Sequence, residues 1–184
     1  MDQLREVRAS VGDVVAYVFR SGDILPGGVP SDAFVEGGRA HRLVQANRGP
    51  DYGAEVAFED RIDGEHCSLL ISGRADGVDT GGDVPFIEEI KSTDRDVSGI
   101  GEETYPHHWA QAALYGCMLA RRDALDLVGV RLVYINRTTG ARRLFERLHE
   151  RSRLETDREK LLGTYLGWVD RICGLKRRRD GSVA

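Results

Sequence analysis

Hydrophobic and polar positions change period several times along the 184-residue chain, and each change marks an element. Ser10-Val11-Gly12-Asp13 reads as a helix N-cap with an acid three residues on. Val14, Val15, Tyr17, Val18 and Phe19 continue it as an apolar helical face. Ser21-Gly22-Asp23 ends that helix, and Leu25-Pro26-Gly27-Gly28-Val29-Pro30 reads as a loop. A second helix is expected from Ser31 or Asp32 to Asn47, with Phe34, His41, Val44 and Gln45 near one side. Gly37-Gly38 inside it costs roughly 1 kcal/mol per glycine relative to alanine, which points to close packing or a kink.

From Ala54 the period becomes two, the signature of a half-buried strand. Asp63-Gly64 is a hairpin-type turn. A strand from Cys67 to Asp76 follows, then a turn at Asp79-Thr80-Gly81-Gly82-Asp83 and a third strand from Val84 to Lys91. These predict an antiparallel meander. Polar, glycine-containing Ser92–Glu102 reads as a mobile loop. A long helix then runs from Glu103 or Pro106 to Arg122, with the proline tolerated in its first turn. Leu127–Asn136 alternates as a strand, Thr138-Thr139-Gly140 turns it, and Arg142–His149 is its partner. A closing helix from Glu150 to Gly174 carries Leu154, Leu161, Leu162, Tyr165, Trp168, Val169 and Ile172 on its apolar side. The order ααβββαββα defines an α/β domain over residues 1–175, with a mixed sheet flanked by helices. Residues 176–184, with the run Lys176-Arg177-Arg178-Arg179, are expected to be a disordered basic tail.

Composition adds little to the fold and more to the partner. At 41% hydrophobic and 30% charged, the chain is ordinary for a globular domain. No apolar run approaches the roughly 20 residues of a membrane span, and the N-terminus lacks the order of a signal peptide. A cytoplasmic protein with no membrane partner is expected. Cys67, Cys117 and Cys173 form no CxxC pair, which leaves buried thiols as the preferred reading. Net charge is −4, but residues 121–184 hold 16 Lys/Arg against 9 Asp/Glu. The remainder is acidic. An acidic part able to hold cations and a basic part able to meet phosphates suit nucleic-acid chemistry.

The candidate chemistry lies in Gly73-Arg74-Ala75-Asp76-Gly77 and Phe86-Ile87-Glu88-Glu89-Ile90-Lys91. Residues i and i+2 of a strand share a face, so Glu89 and Lys91 point one way with Ile87, and Glu88 points the other way with Phe86 and Ile90. A hairpin brings Asp76 beside Glu89. Two close carboxylates repel unless a cation lies between them, and Mg²⁺ or Mn²⁺ is the natural occupant. Lys91 is then placed to orient a metal-activated water or offset charge building on phosphorus. His41 would add a nitrogen ligand and shift preference toward Mn²⁺. His107/His108, Gln111 and Tyr115 form a polar stripe on the long helix. The plain alternatives are a Glu89–Lys91 surface salt bridge and a solvated helix face. Tyr105 and Trp109 are either core residues or stacking surfaces for bases.

Taken in order, His41, Gly73-x-x-Asp76, Glu89-Ile90-Lys91 and Gln111-x-x-x-Tyr115 resemble the PD-(D/E)xK nuclease superfamily. The likeness is strongest to its RecB/AddB-type branch, which includes CRISPR-associated exonucleases. Ser10–Asp23 and Glu88–Tyr115 also resemble the nuclease domain of some DinG-like helicases. The resemblance implies a restriction-endonuclease-like core and a metal-dependent deoxyribonuclease. It assigns metal binding to His41, Asp76, Glu89 and the main-chain carbonyl of Ile90. Lys91 becomes catalytic with Asp76 and Glu89, while Gln111, Tyr115, Arg74 and His108 organise the site or contact DNA. It implies DNA as substrate, single-stranded or with free ends, and a helicase or CRISPR-type partner protein. The cysteines do not match the iron–sulfur spacing of many relatives, so no cluster is expected. Without a Gly-x-x-x-x-Gly-Lys-Ser/Thr loop, no ATP is expected either. Two rivals stand beside this reading: a catalytically silent DNA-binding subunit, and a phosphohydrolase acting on nucleotides.

Overall fold

The computed structural model describes residues 4–20, 38, 41–46 and 48–181. Its elements are β1 (Arg5–Ser10), α1 (Val11–Val18), β2 (Tyr52–Asp63), β3 (Cys67–Asp79), β4 (Phe86–Thr93), α2 (Pro106–Arg122), β5 (Leu127–Asn136), β6 (Arg142–Glu150) and α3 (Arg151–Gly181). Residues 41–45 are also helical. Gly38 is helical as well, and residues 31–37, 39, 40 and 47 of the expected second helix, with the turn and loop preceding it, lie outside the described residues.

The strands form one six-stranded mixed sheet in the order β1-β3-β4-β5-β6, with β2 also paired to β3. β2, β3 and β4 are the expected antiparallel meander. β4 and β5 run parallel, connected through α2, and β5 and β6 form an antiparallel pair. β1 was not expected. Its sequence, Arg-Glu-Val-Arg-Ala-Ser, carries only Val7 and Ala9 as inward residues. Parallel pairing with Cys67–Ser72 makes it a strand.

The ladders along β3 create the opening in which the site lies. One edge of β3 pairs with β2 from Ser68 to Asp79. The other edge pairs with β1 through Ser72 and with β4 only from Gly77. Between those two ladders, residues 73–76 have no strand partner on that edge among the described residues.

Both sheet faces are covered. On one face α1, α2 and α3 contribute Val11, Val14, Leu114, Leu119, Leu154 and Leu162 to a core with Ile71, Ile87, Val130 and Leu132. On the other, Val44 from the segment at 41–45 packs on Ile90, Val133 and Ile135. Burial on both faces explains why β5 reads as a nearly continuous apolar run. Buried Arg158 ties α3 to β2 through a bidentate pair with Asp60, which Arg121 of α2 joins at 3.1 Å.

Local signals were accurate at the helix starts. Ser10 and Asp13 form a reciprocal capping box, each side chain accepting the other's main-chain N–H at 3.0 Å. Two expectations fail. The segment after β4 is anchored, not mobile: Val97 and Ile100 are buried in the main core, and the Asn136 amide donates to the Arg95 carbonyl at 2.9 Å. The closing helix also continues through the basic run to Gly181 instead of ending near Gly174. Gly174 is a packing glycine, not a stop. A Cβ there would lie 2.5 Å from the His66 ring. Beyond it, Lys and Arg are good helix formers, and their charge suits a helix C-terminus.

Candidate active site

The opening in the sheet collects most of the residues singled out from the sequence. Asp76 ends the unpaired stretch of β3, and its Oδ2 accepts the Ile90 N–H at 2.6 Å. That bond continues the β3–β4 connection where the ladder stops. The other carboxylate oxygen, Oδ1, lies 3.2 Å from Nδ1 of His41. Burial alone would lower the His41 pKa, but the hydrogen bond and charge of Asp76, with Glu89 and Glu55 behind it, raise it on balance.

Glu55 is the site residue that sequence reasoning missed. His41, Glu55 and Asp76 each offer one ligand atom, and these atoms lie within 4.8 Å of one another. Glu55 stands in β2 between Ala54, paired with Gly77, and Val56, paired with Ala75, so it faces Asp76. It adopts φ +54°, a left-handed conformation that non-glycine residues rarely take and that carries of order 1–3 kcal/mol of strain. Gln45 spans the group, its Nε2 donating to the Asp76 carbonyl at 2.8 Å and to Glu55 Oε1 at 3.3 Å. No sequence signal pointed to Glu55. A two-residue turn at Asp63-Gly64 would set residue 55 opposite residue 72, and only the observed register, with Asp63 opposite Ser68, brings it level with residue 76.

Glu89 and Lys91 share a face, as alternation required. Lys91 Nζ lies 2.8 Å from Glu89 Oε1 and donates to Gln111 Oε1 at 3.1 Å. Glu89 is only 3% exposed, and its second oxygen, Oε2, is buried with no hydrogen-bond partner. Burial pushes the Glu89 carboxyl up to about 7, against the lowering effect of Lys91. The salt bridge is therefore not a surface one. A buried carboxylate with an unmet oxygen beside a His/Glu/Asp cluster fits a hard divalent cation, which takes oxygen ligands with an occasional nitrogen. His41, Glu55, Asp76 and Glu89 are the side chains that would hold it. Ile90 lies beside Asp76 through its main chain, and its side chain is buried on the opposite face with Val44.

Tyr115 explains the glycine of the Gly-x-x-Asp sequence. Its ring is 3% exposed, its hydroxyl reaches the Gly73–Arg74 main chain, and burial holds it well above its ordinary pKa. A Cβ on residue 73 would lie 2.3 Å from that hydroxyl oxygen. Gly73→Ala is expected to cost about 1–3 kcal/mol by overpacking. Gly73→Ala/Tyr115→Phe should recover much of that loss, since the closest atom is removed. Thermal melts of both variants and wild type check this.

Arg74 and His108 are placed differently from Gln111 and Tyr115. Arg74 meets the site only through its main chain, its side chain being exposed. His108 turns to β5, where Nδ1 lies 2.9 Å from the Tyr134 hydroxyl. Burial, with the nearby charge of Lys91, drives its pKa down to about 3, so the ring is neutral. Trp109 is core, donating to the Glu102 carbonyl at 2.8 Å under the Arg147 guanidinium. All three cysteines are buried.

The protein is thus an α/β fold with a six-stranded mixed sheet flanked by helices, compatible with a restriction-endonuclease-like core. No helix among the described residues is long and apolar enough to cross a membrane. No family model and no curated protein matches the chain. Among solved structures it is similar to the crystal structure of SSO0001, with a TM-score of 0.52 and 18% identity over 85% of this chain and 76% of that one. At that identity the likeness speaks for the fold alone.

Proposed function

We propose that this protein is a metal-dependent DNA nuclease. The observation that carries the reading is the buried, half-satisfied Glu89 carboxylate, ion-paired to Lys91 at the opening where His41, Glu55 and Asp76 converge. Mg²⁺ or Mn²⁺ held there would supply Lewis-acid activation of water for attack on a phosphodiester. The chain's own residues divide the remaining work. Gln45 fixes Asp76 and Glu55. Gln111 holds Lys91 toward Glu89. Lys91, about a quarter exposed, keeps a cation where charge builds on a phosphate oxygen. The ordered motifs that resemble the RecB-type branch support DNA as substrate, and a helicase or CRISPR-type partner belongs to the same reading.

The test is cleavage of end-labelled linear and circular DNA, single- and double-stranded, with Mg²⁺ or Mn²⁺. Wild type is expected to cut and Asp76→Ala to lose cutting by at least a hundredfold. Undiminished cutting by Asp76→Ala, or no cutting by wild type with either metal, would overturn the reading.

A further inference from the structure

A second cavity adjoins the site on the far side of Lys91. It has a volume of about 400 Å³ and is lined by Lys91, Ser92 and Thr93 of β4, Tyr134 of β5, and Tyr105 and His108 at the start of α2. That volume lies within the range of small-molecule sites. Its place is also the one physics favours. β4 and β5 are parallel, Lys91 pairs in register with Tyr134, and the cavity opens at the carboxyl ends of both strands. Crevices outside the carboxyl ends of parallel strands are where α/β sheets bind ligands.

The lining states the chemistry of an occupant. Tyr105, His108 and Tyr134 form one aromatic wall, with ring centroids 5.1 Å apart for Tyr105–His108, 5.7 Å for His108–Tyr134 and 5.9 Å for Tyr105–Tyr134. The neutral His108 ring leaves that wall uncharged. Ser92, Thr93 and Thr104 bring hydroxyls to the rest of the lining, which Arg95, Asp96, Gly99 and Ile100 complete. Lys91 belongs at once to the cavity and to the Glu89 pair, so an occupant must place a flat, hydrogen-bonding ring in the cavity and an anion at Lys91. A nucleotide meets both demands.

We infer that this cavity receives the base of one DNA nucleotide, the one whose phosphate is presented to Lys91 and Glu89. The inference rests on the nuclease reading for the identity of the polymer, and on the cavity alone for the base. Stacking without base-specific contacts makes such a site tolerant of sequence. A base must also be unstacked from its neighbours to enter, which favours single strands and frayed ends over intact duplex.

The experiment uses the full chain and short single-stranded oligonucleotides carrying 2-aminopurine at one position each, with Ca²⁺ in place of Mg²⁺ or Mn²⁺. Cleavage of the same oligonucleotides is followed in parallel with Mg²⁺ and Mn²⁺. The expected result is a fluorescence change confined to one position. That change should be lost in Tyr105→Ala with about tenfold weaker binding, the size of one base stacked on an aromatic ring, and kept in Tyr105→Phe. Cleavage without a position-confined change, or an unaltered change in Tyr105→Ala, overturns the pocket and leaves the nuclease standing. A position-confined change without cleavage keeps the pocket and overturns the nuclease.

Discussion

Lys91→Ala is expected to lose cleavage by about 10²–10³-fold, the effect of removing one group that stabilises developing charge. It should also move metal binding to higher pH. A carboxylate must be deprotonated to ligate a cation. Glu89 already holds its proton up to about 7 because of burial, and Lys91 is the main influence pulling that value down. Without the lysine the proton is held more tightly, so metal affinity at pH 7 falls and recovers as the pH rises. Calorimetric metal titrations from pH 6 to pH 9 read this directly. At the alkaline end the variant should bind metal like wild type and still not cleave. A variant that cleaves normally once metal is bound would show that Lys91 only sets the charge on Glu89. The same proton governs stability of the metal-free protein. The unfolded chain loses it near 4.3 and the folded protein near 7. The contribution of Glu89 is therefore fully present below the unfolded value and lost as the pH rises through about 7. Thermal melts without metal should fall across that window, and the melting shift produced by added Mn²⁺ should grow.

Glu88→Ala should be among the most destabilising changes in the sheet, although Glu88 adjoins Glu89 and faces away from the site. Glu88 is fully buried and accepts hydrogen bonds from Nε and Nη2 of Arg48, from the Tyr52 hydroxyl at 2.8 Å and from Arg131 at 3.4 Å. Asp79 and Glu146 also hold Arg131, so Arg48 is the cation left without its anion. Breaking a buried pair by removing one partner costs about 3 kcal/mol or more. In a chain of this size that lowers the melting temperature by roughly 6–12 °C. Glu88→Gln keeps an acceptor for Tyr52 and should lose less. Arg48→Met/Glu88→Leu should regain part of the loss, because the uncompensated charge goes with it. A melt of Glu88→Ala unchanged from wild type would mean that the network carries no stability. Cleavage per folded molecule should fall far less in Glu88→Ala than in Glu89→Ala, since only Glu89 faces the Lys91 side.

How much of this was legible in the chain follows from the range of each interaction. Alternation placed Glu88 and Glu89 on opposite faces, because the two-residue period of a strand is local. The Ser10–Asp13 cap and the long helix at Pro106 are set by residues within a few positions of one another, and they stand as read. β1 was illegible because six residues with only Val7 and Ala9 to bury become a strand only against Cys67–Ser72, far along the chain. Gly174 read as a helix stop because its reason, the His66 ring against it, comes from β3's end of the molecule. The loop after Thr93 read as mobile because Val97 and Ile100 are isolated apolar residues until the core receives them.

The site divides in the same way. Asp76, Glu89, Lys91, Gln111 and Tyr115 could be singled out by residue type, strand parity and helical spacing, all properties of short stretches. His41 and the grouping of all six came from the resemblance of the ordered motifs to a known family. Glu55 could not, for its left-handed turn toward Asp76 depends on the register of a twelve-residue strand. Nor could the charge state of Glu89, which follows from the depth at which β4 and α2 bury it. By itself the sequence determined which side chains were available and which faces they shared. The tertiary structure alone decided that the opening between the β1 and β4 ladders would gather them, and that Lys91 would stand between the carboxylates and an aromatic cavity. Distance across the sheet depends on pairings that no local period encodes.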